Sequence, residues 1–162
     1  MFVRAALPGE LGAVGDLRVE AYEAQGLLTA NPDYAATLRA LGAAGGDVLV
    51  AVDGDRVVGT IMLERWGPDS EVARSADEAE VRALAVAPEA QGRGVGAALL
   101  KAVMERAASL GVRHLVLSTQ PGMTAAQRLY AAHGFARLPD RDWAPVPGLT
   151  LLSFGQLLPA VF

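Results

Sequence analysis

A chain of 162 residues, 52% of them apolar, is long enough to bury one sizeable core, and none of its apolar runs approaches the ~20 residues of a membrane span. A net charge of −4, from 14 Lys and Arg against 18 Asp and Glu, lacks the electrostatic footprint of a nucleic-acid binder. Without cysteine there is no disulfide, thiolate metal site or acyl-cysteine intermediate, and His114 and His133 are too few and too far apart for a metal site.

The first residues pass straight into structured-looking sequence, with no basic segment followed by an apolar stretch and a cleavage site, so a cytoplasmic protein is expected. Residues 2–7 read as a strand, and Pro8-Gly9-Glu10 leads into a helix with Leu11, Val14, Leu17 and Ala21 on one face. A second helix is expected with Asn31 as its N-cap and Pro32 in its first position. Its apolar face is Tyr34, Leu38 and Leu41, and it breaks at Gly45-Gly46. Residues 47–52 and 56–66 are β-rich and joined by Asp53-Gly54-Asp55, a hairpin signal. The acidic stretch 67–78 reads as a solvated loop.

Residues 80–87 form a near-continuous run of small apolar side chains, the mark of a central strand. Gln91-Gly92-Arg93-Gly94-Val95-Gly96-Ala97 follows, and then a helix to residue 110 with Val95, Leu99, Ala102, Val103, Ala107 and Leu110 on one face, closed by Gly111. A glycine-rich corner that opens a helix presents free backbone N–H groups at the positive end of the helix dipole. It suits phosphate, and Arg93 can add a charge-assisted contact. A Walker loop is excluded because Gly96 is followed by Ala97-Ala98. A dinucleotide turn fits Gly92 to Ala97 but lacks its acidic partner about 20 residues on, since no acidic residue stands between Glu105 and Asp140.

Residues 114–119 return as a strand. Thr124-Ala125-Ala126-Gln127 reads as a capping box that starts a helix through Tyr130, and Gly134 fits the C′ position that ends it. A Pro-rich loop through Trp143 and Pro147 leads to a last strand at 149–158. No repeat or linker interrupts the chain, so residues 1–162 are expected to form a single domain.

Leu84-Ala85-Val86-Ala87-Pro88 with Gln91-Gly92-Arg93-Gly94-Val95-Gly96 resembles the acyl-CoA-binding signature of the GNAT N-acetyltransferases. Ala126-Gln127-Arg128-Leu129-Tyr130, closing on Gly134-Phe135, resembles the second landmark of that family. The resemblance runs from about residue 2 to 158 and is strongest from 80 to 135. It implies the α/β GNAT acyltransferase fold, a mixed central sheet of about six to seven strands flanked by about four helices, in which the strands at 80–87 and 114–119 run parallel and splay apart.

By the same resemblance, acetyl-CoA is the acyl donor for direct transfer to a primary amine of a small molecule or peptide. Tyr130 is the general acid, and Glu80 is a base acting through water. Leu84, Ala85, Val86, Gln91 to Ala97, Thr119, Ala126 and Tyr130 are cofactor contacts. The backbone around Leu84 to Val86 serves the oxyanion. Tyr22, Glu23, Tyr34, Trp66, Asp140, Asp142 and Trp143 are acceptor-lining candidates. Met123 stands where the family often carries an Asn that bonds the cofactor, and a thioether is a poor substitute. That departure keeps a catalytically silent acyl-CoA-binding regulatory module in view. A NAD-binding domain is the weaker third reading, and the apolar last strand could pair across a homodimer.

Overall fold

The computed structural model describes residues 1–159, which form two compact units, Met1–Leu63 with Arg82–Val103, and Glu64–Val81 with Met104 onward. Strand β4 (Glu78–Val86) and helix α3 (Val95–Ser109) each run from one unit into the other.

In the first unit β1 (Phe2–Ala5), β2 (Asp47–Asp53) and β3 (Arg56–Arg65) pair antiparallel in sequence, with Phe2 opposite Val52 and Asp47 opposite Leu63. The expected hairpin is present, with Gly54-Asp55 as its two-residue turn and Asp53 opposite Arg56. Alternation along β2 sends Val48, Val50 and Val52 to one face, where they pack with Met62 and with Val14 of α1 (Leu11–Ala24). The periodic residues Val14, Leu17 and Ala21 are buried as expected, and Leu11 covers the cluster's edge.

Helix α2 (Tyr34–Ala40) starts later than its sequence suggests. The carbonyls of Asn31, Pro32 and Asp33 accept from residues three ahead, so the segment enters as a tight turn and the Asn31 side chain does not cap it. Gly59 in β3 sets how closely α3 approaches. A Cβ there would lie 2.7 Å from Val95 Cγ1 and 2.9 Å from Leu99 Cδ1.

In the second unit the first residues of β4 pair parallel with β5 (His114–Thr119), Glu78 opposite His114 and Glu80 opposite Val116. β4 therefore begins at Glu78, two residues before the expected start. The segment before it is more than a solvated loop, since Val72 and Ala73 are buried against Val116.

Strand β8 (Leu149–Leu157) pairs antiparallel with β5 and also with β6 (Ala136–Arg137) and β7 (Trp143–Val146). β6 and β7 lie where sequence suggested only loop, and with them the sheet has eight strands among the described residues, in the order β1-β2-β3-β4-β5-β8-β6, with β7 on β8. β8 pairs with β5 along Leu152–Leu157 and with β6 at Phe154 and Gly155.

Helix α4 (Thr124–Ala132) begins where expected but without the capping box. Met123 holds the N-cap position, and the Gln127 amide instead donates to the carbonyls of Gln120 (3.0 Å) and Pro121 (3.1 Å). Its end follows expectation. Gly134 at φ +90° donates to Ala131 O, Phe135 N donates to Tyr130 O, and the Tyr130 and Phe135 rings meet 5.8 Å apart, the full bond pattern of a Schellman motif.

Candidate active site

The glycine corner lies wholly in the first unit. A 3-10 turn, Pro88–Ala90, delivers the chain to the exposed residues Gln91 to Gly94, and α3 starts at Val95. Gly92 and Gly94 take φ +77° and +79°, a region that costs other residues about 1–2 kcal/mol. A Cβ on either would meet no protein atom within 4 Å, so packing does not call for glycine here. The positive φ does, and the bare backbone leaves the space outside the corner open to a ligand.

Ala98 N donates to Gly94 O at 3.1 Å, which leaves the amides of Val95, Gly96 and Ala97 as the unpaired first turn of a helix anchored by the buried Val95 and Leu99. Arg93 Nη2 sits 3.1 Å from Asp53, with both side chains more than 40% exposed, so little holds it in that pair. These residues fit a pyrophosphate.

Just before the corner, Ala83 takes φ +54° within β4, the one non-glycine in that region among the described residues. A left-handed residue inside a strand re-aims the peptide groups beside it, here those that join Ala83 to Arg82 and to Leu84. Leu84 and Val86 are half-buried and Ala85 is buried.

The titratable candidates lie in the second unit. Glu80 is 1% exposed, not the solvated strand-end carboxylate its position first suggests. Its Oε1 accepts the backbone N–H of Val72, in a short bond, and that of Ala73 at 2.7 Å. Two residues earlier on the same face, Glu78 Oε1 accepts Arg74 N at 2.8 Å, Arg141 clamps both Glu78 oxygens at 2.8 and 2.9 Å, and His114 Nδ1 lies 2.8 Å from Oε2. Burial alone would raise the Glu78 carboxyl. The hydrogen bonds from Arg141, Arg74 and His114 outweigh it and lower the pKa to about 2.

Tyr130 is buried between Phe135 and Phe154, whose ring centres lie 5.8 and 6.3 Å away, and burial pushes its phenol up, so it is protonated throughout the neutral range. Ala126, one turn earlier, shares its helix face. Thr119 is buried, and its Oγ1 donates to Met123 Sδ at 3.2 Å.

Of the acceptor candidates, Tyr22 and Tyr34 come together in the first unit with ring centres 6.2 Å apart, while Glu23 turns to solvent. In the second unit Trp143 packs on Val72, Ala73 and Val116, the segment that holds Glu80, and its Nε1 donates to Ser118 Oγ at 3.3 Å. Trp66 is half exposed. Asp140 is exposed beside Arg74, and Asp142 is occupied by Arg137 and by the amide of Ser153.

The acetyltransferase (GNAT) family model matches residues 13–135, about three-quarters of the chain. The chain belongs to the GNAT acetyltransferase family. Two curated relatives are both named mycothiol acetyltransferase. That of Thermobispora bispora is 35% identical over 130 residues, 80% of this chain and 39% of its own length, and that of Geodermatophilus obscurus is 35% identical over 88 residues, 54% of this chain and 28% of its own. The chain thus spans well under half of either relative. The solved structure of yncA from Salmonella typhimurium, with its cofactor acetyl-CoA, superposes with a TM-score of 0.72 at 21% identity, covering all of this chain and 96% of that one, and shows the shared fold.

Within this GNAT chain, sequence reasoning missed four charged residues. Glu78, assigned to a loop, anchors an ion network with Arg141, and Arg82 is buried in β4. Arg18 is fully buried on α1. The signal for Arg18 was present, because it stands four residues after Val14 and beside Leu17 on the stripe that faces the core, where a charge needs a reason.

Proposed function

We propose that this GNAT protein is an acetyl-CoA-dependent N-acetyltransferase. Residues 1–162 act as one domain in the cytoplasm and transfer the acetyl group by direct attack of a primary amine within a ternary complex. The observation that carries this reading is the Gln91-to-Ala97 corner, with its unpaired amides and open space beside Gly92 and Gly94, in a chain of this family. The two curated relatives are named for acetyl transfer, in line with it.

Acetyl-CoA supplies the activated acyl thioester. The amides of the corner, with Gln91 and Arg93, hold its pyrophosphate, and Thr119 and Ala126 are further candidate contacts. Backbone N–H groups at Leu84 to Val86 bond the pantetheine and the carbonyl oxygen as charge builds there. Glu80 takes the amine proton through water. Both of its amide bonds use Oε1, which leaves Oε2 for that water. As the C–N bond forms and the C–S bond breaks, Tyr130 gives its proton to the sulfur, a role suited to a phenol kept protonated by burial.

The Thr119–Met123 contact favours the second reading, a silent acyl-CoA-binding module, since it occupies a hydroxyl that could bond the cofactor. Calorimetric titration of acetyl-CoA into wild type and Gly94→Trp, followed by an amine screen, tests both. Binding to wild type that the indole abolishes, together with acetylated product, is the expected result. Binding without turnover over a broad amine panel would leave the silent module. No binding at all would remove the donor and the function with it.

A further inference from the structure

Arg18 is the most deeply buried charge in the first unit, with no exposed surface. One nitrogen is accounted for, since Nη1 donates to Leu38 O at 2.9 Å and Leu41 O at 2.8 Å and so caps the C-terminal end of α2. Nε and Nη2 are also buried and have no hydrogen-bond partner. These two N–H groups lie along the same edge of the planar guanidinium, and together they form the side-on fork that receives both oxygens of a carboxylate.

The surroundings lack the group that fork needs. The charged and ionisable groups that act on Arg18 are Tyr22, Tyr34 and Arg82, two phenols and a second cation, with no carboxylate among them. Buried guanidinium groups are ordinarily paired. Here the Nε/Nη2 edge of Arg18 itself goes unpaired, beside the Tyr22–Tyr34 ring pair.

We propose that the Nε/Nη2 edge of Arg18 is a carboxylate-binding site, and that the amine acceptor of this enzyme is a free amino acid or a similarly carboxylate-bearing amine. The Tyr22 and Tyr34 rings provide a wall for its side chain. Access comes by displacement of α2, a seven-residue helix that buries only Leu38 and is short enough to shift without unfolding the unit. The acceptor part of the proposal rests on the acetyl-transfer reading, whereas the anion site does not.

Two measurements separate them. Differential scanning fluorimetry of wild type with malonate, with inorganic phosphate as a separate arm and sodium chloride at matched ionic strength as control, reads the site without turnover. A saturable rise in Tm with malonate is expected, and it should be lost in Arg18→Lys, which keeps the charge but not the fork. A response to phosphate alone would overturn the carboxylate assignment. Identical responses to all three salts would mean that the fork is filled by water, and would overturn the site.

Steady-state acetylation of free L-amino acids against their carboxamides then reads the acceptor. The free acids should show kcat/KM at least about tenfold higher, mostly through KM, as expected for a charge-assisted bidentate contact. Equal values would overturn the acceptor assignment. Absence of any turnover would sink the acetyltransferase reading while the malonate titration still decides the site. Should Arg18→Lys fail to fold, the wild-type titration and the acid–amide comparison remain decisive.

Discussion

Gly59 tests whether close packing of α3 on β3 holds the proposed phosphate corner in place. In Gly59→Ala the new methyl would stand 2.7 Å from Val95 Cγ1, 2.9 Å from Leu99 Cδ1 and 3.3 Å from Ala85 O. Leu99 can swing its far methyl aside, but Val95 is β-branched and nearly fixed in a helix, so relief comes chiefly by pushing the first turn of α3 outward. Overpacking of this kind costs about 1–3 kcal/mol, offset by roughly 0.5–1 kcal/mol because alanine loses less backbone entropy than glycine. The expected net loss is about 1–2 kcal/mol, or a fall in Tm of roughly 2–8 °C for a chain of this size. Acetyl-CoA affinity should fall with it, because Val95 opens the turn whose amides face the phosphate. Val95→Ala alone leaves a void, and that void accepts the Gly59→Ala methyl, so the double variant should recover at least about 1 kcal/mol relative to the sum of the singles. Urea unfolding of the four proteins, with calorimetric acetyl-CoA titration of each, measures both quantities. Additive stabilities, or a Gly59→Ala protein that binds acetyl-CoA like wild type, would refute the coupling between this contact and the corner.

Tyr130→Phe keeps the ring contacts with Phe135 and Phe154 and removes only the proton donor. It should lower kcat about 10²-fold or more while Tm and acetyl-CoA affinity hold, and unchanged kcat would show that Tyr130 only packs. Glu80→Gln can still accept from Val72 and Ala73, so its loss of rate should shrink as pH rises toward the pKa of the amine, and a loss independent of pH would argue against a base. The pKa of Glu78 is lowered from 4.5 to about 2, so its contribution to stability is present above pH 4.5 and is lost as pH falls toward 2, up to about 3 kcal/mol in all. Urea midpoints at several pH values should therefore fall more steeply below pH 4.5 for wild type than for Glu78→Gln, and parallel slopes would contradict the network.

What could be read from the sequence was local, and what could not was made by chain segments distant in sequence. Gly134-Phe135 reports its Schellman motif because every bond lies within six residues, and the Gly92 and Gly94 turns report themselves through backbone conformation alone. The capping box failed although its spacing was right, because the Gln127 amide finds carbonyls at Gln120 and Pro121 that no local pattern advertises. Pro145 concealed β7, yet proline is tolerated on an irregular strand with a single neighbour, and among the described residues β7 pairs only with β8, with a shifted register. Glu80 was found as a candidate base, but its burial was not, since the amides that hold it come from a stretch without periodicity. Arg18 was passed over because its partners are carbonyls about 20 residues away on another helix.

The two carboxylates of β4 explain why that unpatterned stretch is ordered at all. Glu78 and Glu80 are two residues apart and so face the same side of the strand, and between them they take the backbone N–H groups of Val72, Ala73 and Arg74, three in succession. An apolar pair could bury as well at less desolvation cost, so stability alone is a weak reason for acids in these positions. A carboxylate that accepts backbone N–H groups fixes the direction of those peptide groups, which an apolar contact does not. Arg141 and His114 complete the hydrogen bonding of Glu78, which leaves Glu78 spent as an anchor. Glu80 has no cation bonded to it and keeps one oxygen clear of both amides. Of the two, Glu80 is the carboxylate with an oxygen not engaged by the chain, and the network around Glu78 holds in place the segment whose amides fix its other oxygen.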